Sequence, residues 1–197
     1  MKNIAMAASI AAILSAAAAL PATAQTVTGQ VTVNGFVAAR CWASLEGDTT
    51  FSGIISLGEL TQTNGTLSSS LTASNAASPA GMVAFLVGCS GSGSTVTLSA
   101  TRLSNPVEPA LPTWSNDIDY TAQINIAMAA GGFQTVNYTT AATPPAATVS
   151  AISGVYANAN NNFEVKVFGL TAENGASSFL VPGSYQGIIS ISVAPTS

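Results

Sequence analysis

Cys41 and Cys89 are the residues of this 197-residue chain whose chemistry is simplest to interpret. In an oxidising compartment they would form one disulfide that closes a loop of about 49 residues. A metal pair and two free thiols are the alternatives. Two cysteines cannot complete a zinc site without a histidine, and the chain contains none. We therefore expect a disulfide between Cys41 and Cys89, with no metal and no cofactor.

Carboxylates are the other candidates for chemistry. The absence of histidine excludes Ser-His-Asp and Cys-His triads, which leaves paired carboxylates as a route to hydrolysis. Asp117 and Asp119 are the closest pair, whereas Glu46, Asp48 and Glu59 are scattered. Period two places the pair on the polar side of one strand end, where we expect a solvated loop or at most a weak Ca²⁺ contact. We predict that the protein is not an enzyme.

The N-terminus has the pattern of a cleavable secretory signal. Lys2 precedes an apolar run from Ile4 to Leu20, Pro21 breaks it, and Ala22-Thr23-Ala24 offers small residues to a signal peptidase. The alternative is a membrane anchor, but a spanning helix needs about 20 strongly apolar residues and this run is largely alanine. We expect export through the periplasm to the cell surface, with no membrane span in the mature chain.

The composition limits the possible partners. Charged residues make up only 6% of the chain, against about 25% in ordinary soluble domains. The surface must therefore consist of Ser, Thr, Asn, Gln and Gly, and basic patches for nucleic acid or anionic lipid are absent. Weak charge repulsion suits a protein that associates with copies of itself.

Period-two alternation of apolar and polar residues dominates the chain after the signal. Such alternation is typical of strands with one buried face, and Gly, Asn and Pro turn signals separate the stretches. The pattern predicts an all-β, antiparallel β-sandwich, with long loops over 105–116 and 139–147. The alternating stretches are 82–89, 95–99, 120–128, 163–167 and 185–193.

One alternating segment lies directly after the predicted cleavage site, at residues 25–34. Val27, Gly29, Val31 and Val33 share one face. The segment is either the first strand of the domain's own sheet or a strand given to another molecule by β-augmentation. Glycine weakens an ordinary strand, but it fits where a side chain would clash with a receiving groove.

Several motifs resemble one known family when they are taken in chain order. They are Val27-Thr-Gly-Gln-Val31, Cys41, Phe51-Ser-Gly-Ile-Ile-Ser-Leu-Gly58, Val83 to Ser90, Val96-Thr-Leu98, and Pro182-Gly-Ser-Tyr-Gln-Gly-Ile-Ile-Ser-Ile-Ser-Val193. In this order they resemble the spore coat protein U-like subunits of archaic (Csu-type) chaperone–usher pili. By this resemblance Cys41 would lie at the start of the domain, and Phe51 to Gly58 would be a short strand after it.

The resemblance implies a domain organisation. Residues 1–24 would be the signal peptide, residues 25–34 a donor strand, and residues 35–197 a pilin-like domain. That domain would be an immunoglobulin-like β-sandwich that lacks its last strand.

The resemblance also implies an acceptor groove and its partners. Tyr185, Ile189, Ile191 and Val193 would line a groove that first contacts a periplasmic chaperone. At the outer-membrane usher, the donor strand of the next subunit would replace the chaperone. We expect a structural subunit of a pilus or surface coat, in a homopolymer or mixed filament, with a role in adhesion and biofilms. The alternative is a monomeric secreted β-sandwich that binds a surface or glycan.

Overall fold

The computed structural model describes residues 28–43, 47–73, 79–91, 93–141, 148–154, 156–157 and 161–196. The predicted signal peptide and residues 25–27 of the predicted donor strand lie outside these ranges. The chain divides into two units, residues 1–36 and residues 37–197. In the first unit, the described residues 28–36 have no regular secondary structure.

The second unit is built from strands. Its described residues include no helix, and no helix long and apolar enough to cross a bilayer is found among them. The all-β prediction is confirmed for this part of the chain. The strands are β1 (Cys41–Ala43), β2 (Gly81–Phe85), β3 (Val87–Cys89), β4 (Gly93–Ala100), β5 (Leu103–Ser104), β6 (Trp114–Ser115), β7 (Asp117–Ala127), β8 (Phe133–Thr139), β9 (Thr148–Ser153), β10 (Phe163–Ala172), β11 (Phe179–Leu180) and β12 (Ile189–Pro195).

Two larger sheets hold most of these strands. In the first sheet, β2 pairs with β10, β10 pairs with β7, and β7 pairs with both β8 and β5. In the second sheet, β4 lies between β12 and β9. All of these pairs are antiparallel, as predicted. The two short pairs are β1 with β3, which is antiparallel, and β6 with β11, which is parallel.

One buried apolar core joins the two larger sheets. Ile124 and Ile126 on β7, Phe163 on β10, and Val96 and Leu98 on β4 are all completely buried within it. Successive residues of a strand face opposite sides, so period-two alternation predicts that these side chains point inward. The structure confirms that prediction.

Two strands have too weak a hydrophobic period to be predicted from the sequence. β8 buries only Val136 and Tyr138 and exposes the apolar Phe133, and β9 buries only Ile152. Both are edge strands in the described sheets, paired only with β7 and with β4. Main-chain hydrogen bonds to one neighbouring strand, rather than burial of a whole face, therefore determine their conformation.

Cys41 and Cys89 form the predicted disulfide. They are opposite each other in the register of β1 and β3. Beside them the indole of Trp42 covers Gly88, where a Cβ would stand only 2.5 Å from the ring. β1 is three residues long, so the covalent bond carries much of its attachment to the domain.

We expect the double variant Cys41→Ser/Cys89→Ser to lose about 4 kcal/mol of unfolding free energy, because the bond closes a long loop in the unfolded chain. The bonded cysteines are separated by 48 positions. Urea unfolding of the variant and of the oxidised and reduced wild type measures the effect. Equal midpoints for the oxidised and reduced protein would contradict this prediction.

Candidate functional site

Hydrogen bonds at the two ends of β12 show which of its residues bond to β4. Before the strand, the Thr101 N–H donates to the carbonyl of Ile188 at 2.9 Å; after it, the Thr196 N–H donates to the carbonyl of Gly93 at 3.1 Å. Bonded pairs alternate along an antiparallel ladder. The even-numbered residues of β12 therefore bond to β4, and the odd-numbered residues direct their N–H and C=O away from it.

The outer edge of β12 is open. Its odd-numbered residues are Ile189, Ile191, Val193 and Pro195, and no described strand or bridge pairs with them on that side. The side chains of these residues turn toward the core and are half-buried. Pro195 has no N–H, so the row of open donors ends at Val193. This edge has the unpaired N–H and C=O groups that allow another strand to be added.

Residues 51–60 form a bank beside the same core. Phe51, Ile55 and Leu57 pack against it, and the ring centroids of Phe51 and Phe85 are 4.7 Å apart. The resemblance predicted a short strand over Phe51 to Gly58, but the structure has none there. The prediction was wrong because this segment is held by side-chain packing rather than by a ladder of main-chain hydrogen bonds.

Two glycines allow this bank to lie directly on β2. A Cβ at Gly53 would stand 2.8 Å from the ring of Phe85 and 2.9 Å from a methyl of Val83. A Cβ at Gly81 would collide with the side chain of Ile55. Glycine is needed at both positions because only a residue without a Cβ permits so close an approach.

A groove of about 1360 Å³ separates residues 49–61 from residues 182–191. We call it the β12 groove. Tyr185, Ile189 and Ile191, three of the four residues predicted for an acceptor groove, lie along its second bank. The structure therefore places these three residues in one continuous wall.

The β12 groove has more apolar than polar surface and is nearly uncharged. Among the described residues that line it, Glu59 is the one that carries a charge. The hydroxyl and then the amide of Thr61 lower the pKa of this carboxylate by hydrogen bonding. Apolar surface beside open main-chain groups is what an added β-strand requires. The groove floor consists of Val83, Phe85, Leu103, Tyr120, Val165 and Val167.

Val193, the fourth predicted groove residue, lines a smaller adjoining cavity of about 150 Å³. Cys41 and Trp42 also line this cavity, and Phe51 and Ile191 line both it and the β12 groove. The Phe51 and Ile191 side chains therefore mark the boundary between the two spaces. Cys41 of the disulfide and Val193, the last open donor of β12, thus line the same small cavity.

The chain before β12 is fixed by two close contacts. The Tyr185 hydroxyl lies 3.0 Å from the carbonyl oxygens of both Val181 and Ser115, either of which can accept its proton. Burial raises the pKa of Tyr185. Two residues later, a Cβ at Gly187 would stand 2.8 Å from the carbonyl oxygen of Arg102. A glycine within a strand pattern is the sequence signal for such an approach.

The Arg102 side chain binds two carboxylates, one on β7 and one directly after β10. Its Nε lies 2.9 Å from Asp119 Oδ1, and its Nη1 lies 2.6 Å from Glu173 Oε1. The Thr140 hydroxyl also donates to Asp119, at 2.8 Å. The hydrogen bond to Glu173 and, to a smaller degree, the charge of Asp119 raise the pKa of Arg102.

Asp119 corrects one prediction from the sequence. It is 7% exposed, so the expectation of a solvated loop was wrong for this residue. A carboxylate can be buried when it is paired and hydrogen-bonded, and Arg102 and Thr140 supply those partners. No group of three His, Cys, Asp or Glu side chains that could hold a metal occurs in the described part of the chain.

Three of the four predicted donor residues, Gly29, Val31 and Val33, lie within the described residues, and Val27 does not. Val31 and Val33 are 88% and 90% exposed and belong to no strand. A Cβ at Gly29 would meet nothing within 4 Å. These valines therefore leave apolar surface in contact with water.

Comparison of the chain with models of known protein families, with curated proteins and with solved structures finds no match.

We expect Gly81→Ala to destabilise the domain by about 1–3 kcal/mol, because the added methyl would force Ile55 away from β2. Gly35→Ala is the matched control, since a Cβ there would meet nothing within 4 Å. Thermal or urea unfolding measures both. Equal stability of the two variants would show that the bank does not lie tightly on β2.

We expect the stability to fall between about pH 10 and pH 12. Burial, and then the charge of Tyr138, raises the pKa of Tyr120 to about 12, whereas an unfolded tyrosine titrates near 10. The folded state therefore favours the neutral phenol. The free energy of unfolding should be unaffected below pH 10 and should fall by about 2 kcal/mol as the pH rises toward 12. Tyr120→Phe should reduce this slope. An unchanged slope in urea titrations would contradict the prediction.

Proposed function

We propose that this protein is a structural subunit of an extracellular pilus or surface coat, and that its β12 groove receives the N-terminal extension of another copy. The observation that supports this most is the open edge of β12 beside an apolar groove. An added strand would satisfy the N–H and C=O groups of the edge and cover the groove floor in one step.

The order of the strands supports an immunoglobulin-like sandwich without its last strand. In that fold one sheet has the order A-B-E-D and the other has C-F-G. Here β2, β10 and β7 follow one another as B, E and D do, and β4 and β12 are neighbours as C and F are. Strand G would then pair with the edge of β12 that faces away from β4.

Tyr185 supports the assignment of β12 as strand F. Immunoglobulin-like domains carry a tyrosine near the start of strand F whose hydroxyl bonds to the backbone a few residues upstream. Tyr185 precedes β12, and its hydroxyl can donate to the carbonyl of Val181, four positions earlier. The same contact holds the second bank of the β12 groove in place.

The extension is suited to be the incoming strand. Burying Val31 and Val33, which are now almost fully exposed, would contribute about 1.5–3 kcal/mol for each side chain. Main-chain hydrogen bonds to Ile189, Ile191 and Val193 would add about 0.5–1.5 kcal/mol each. A junction would thus be stabilised by several kcal/mol.

A contact of this kind builds a filament. The donated segment and the β12 groove are different surfaces, so the contact is heterologous, and successive copies form an open chain. Before assembly, the groove would need a periplasmic chaperone to cover its apolar floor, and an outer-membrane usher would exchange that chaperone for the next subunit. The resemblance to spore coat protein U-like pilus subunits implies the same partners.

Two full-length variants test the proposal. Val31→Asp/Val33→Asp should be unable to donate a strand. Ile191→Pro should be unable to accept one, because proline removes an N–H that points away from β4 and so leaves the β4 ladder intact. Each variant alone should form no SDS-resistant ladder, and a 1:1 mixture should form only a two-subunit species. Electrophoresis of unheated samples of the exported protein measures this.

Val37→Asp is the matched control, because Val37 is 87% exposed but lies outside residues 25–34. This variant should assemble like the wild type. A wild-type protein that remains monomeric after prolonged incubation would overturn the proposal and favour the monomeric surface- or glycan-binding β-sandwich.

A further inference from the structure

The chain passes from one large sheet to the other at Thr101 and Arg102. β4 ends at Ala100 in the sheet that contains β12. β5 begins at Leu103 and pairs with β7 in the other sheet. We call these two residues, Thr101–Arg102, the crossover. Its backbone is the covalent link between the two halves of the core at this end of the groove.

The crossover supports the residues that lead into β12. The Thr101 N–H donates to the carbonyl of Ile188, and the Ile188 N–H donates to the Thr101 hydroxyl, both at 2.9 Å. The carbonyl oxygen of Arg102 lies so close to Gly187 that a Cβ there would stand 2.8 Å away. Gly187 and Ile188 line the β12 groove, so the crossover holds this part of the groove wall in place.

The Arg102 side chain in turn ties the crossover to the five-stranded sheet. It binds Asp119 on β7 at 2.9 Å and Glu173, directly after β10, at 2.6 Å. Asp117 acts on it through its charge. Asp119 is buried and also bound by Thr140, so the guanidinium is attached to a fixed point rather than to a flexible surface side chain.

We propose that Arg102 is a positioning residue for the β12 groove. Through its ion pairs with Asp119 and Glu173 it holds the crossover, and the crossover holds Gly187 and Ile188 at the spacing from which an incoming strand can reach the outer edge of β12. This inference rests on the proposed strand-accepting function and identifies which polar contacts keep the groove ready to bind.

Binding of a labelled peptide of residues 25–34 to the full-length donor-deficient variant Val31→Asp/Val33→Asp tests the inference. In this background, Arg102→Met should weaken binding about tenfold, and Glu173→Gln, which leaves the Asp119 pair intact, about two- to threefold. Arg102→Lys retains the charge and should restore part of the affinity. Fluorescence anisotropy measures binding, at a temperature where circular dichroism shows each variant to be folded.

Lys166→Met is the matched control. It removes the ion pair between Lys166 Nζ and Glu164 Oε2, which are 2.7 Å apart, and neither residue lines the groove. A general loss of stability would affect both variants, whereas a positioning role lowers peptide affinity only for Arg102→Met and Glu173→Gln. If Arg102→Met does not fold, Glu173→Gln decides the result.

The two proposals fail in distinguishable ways. Undiminished binding by Arg102→Met and Glu173→Gln, with binding by the parent protein, would overturn the role of Arg102 alone. Absence of peptide binding by the parent protein would overturn the proposed function and the role of Arg102 with it.

Discussion

The outer edge of β12, with which no described strand pairs, is the feature on which the rest of this structure depends. An antiparallel strand uses only alternate residues to bond to one neighbour, so Ile189, Ile191 and Val193 keep main-chain groups that β4 cannot satisfy. Their side chains point to the core, and the floor of the groove beside them is apolar. The outward N–H and C=O groups of β12 and the apolar surface of the groove thus lie side by side. A single added strand would bond to the first and cover the second.

The remainder of the domain keeps that line open without losing its own order. The 51–60 bank rests on β2 through side chains, and Gly53 and Gly81 make room for it. At the other bank, Gly187 lies against the crossover and Tyr185 bonds to backbone carbonyls. These contacts hold each wall of the groove from behind, and no described strand pairs with the edge of β12 that faces the groove.

Polar side chains complete the ladders where strands are interrupted. Asn162 is 2% exposed, and its side chain accepts from the Val87 N–H at 2.8 Å and donates to the Val87 carbonyl at 2.6 Å. It replaces a neighbouring strand at the start of β3. Between the sheets, the Arg102 side chain instead pairs with the side chain of Asp119. In a chain with so few charges, such polar contacts act as local links between segments of the domain.

Local patterns in the sequence determined the alternating strands, because burying every second residue makes apolar residues recur at every second position of the sequence. Ile124, Phe163 and Val96 could be predicted as core for this reason. The disulfide could be predicted because the chain has two cysteines, no histidine and the pattern of an exported protein. The open edge, the close approaches at Gly81 and Gly187, and the burial of Asp119 were decided only by the tertiary structure. Each depends on which distant segment lies opposite, and no local period records that choice.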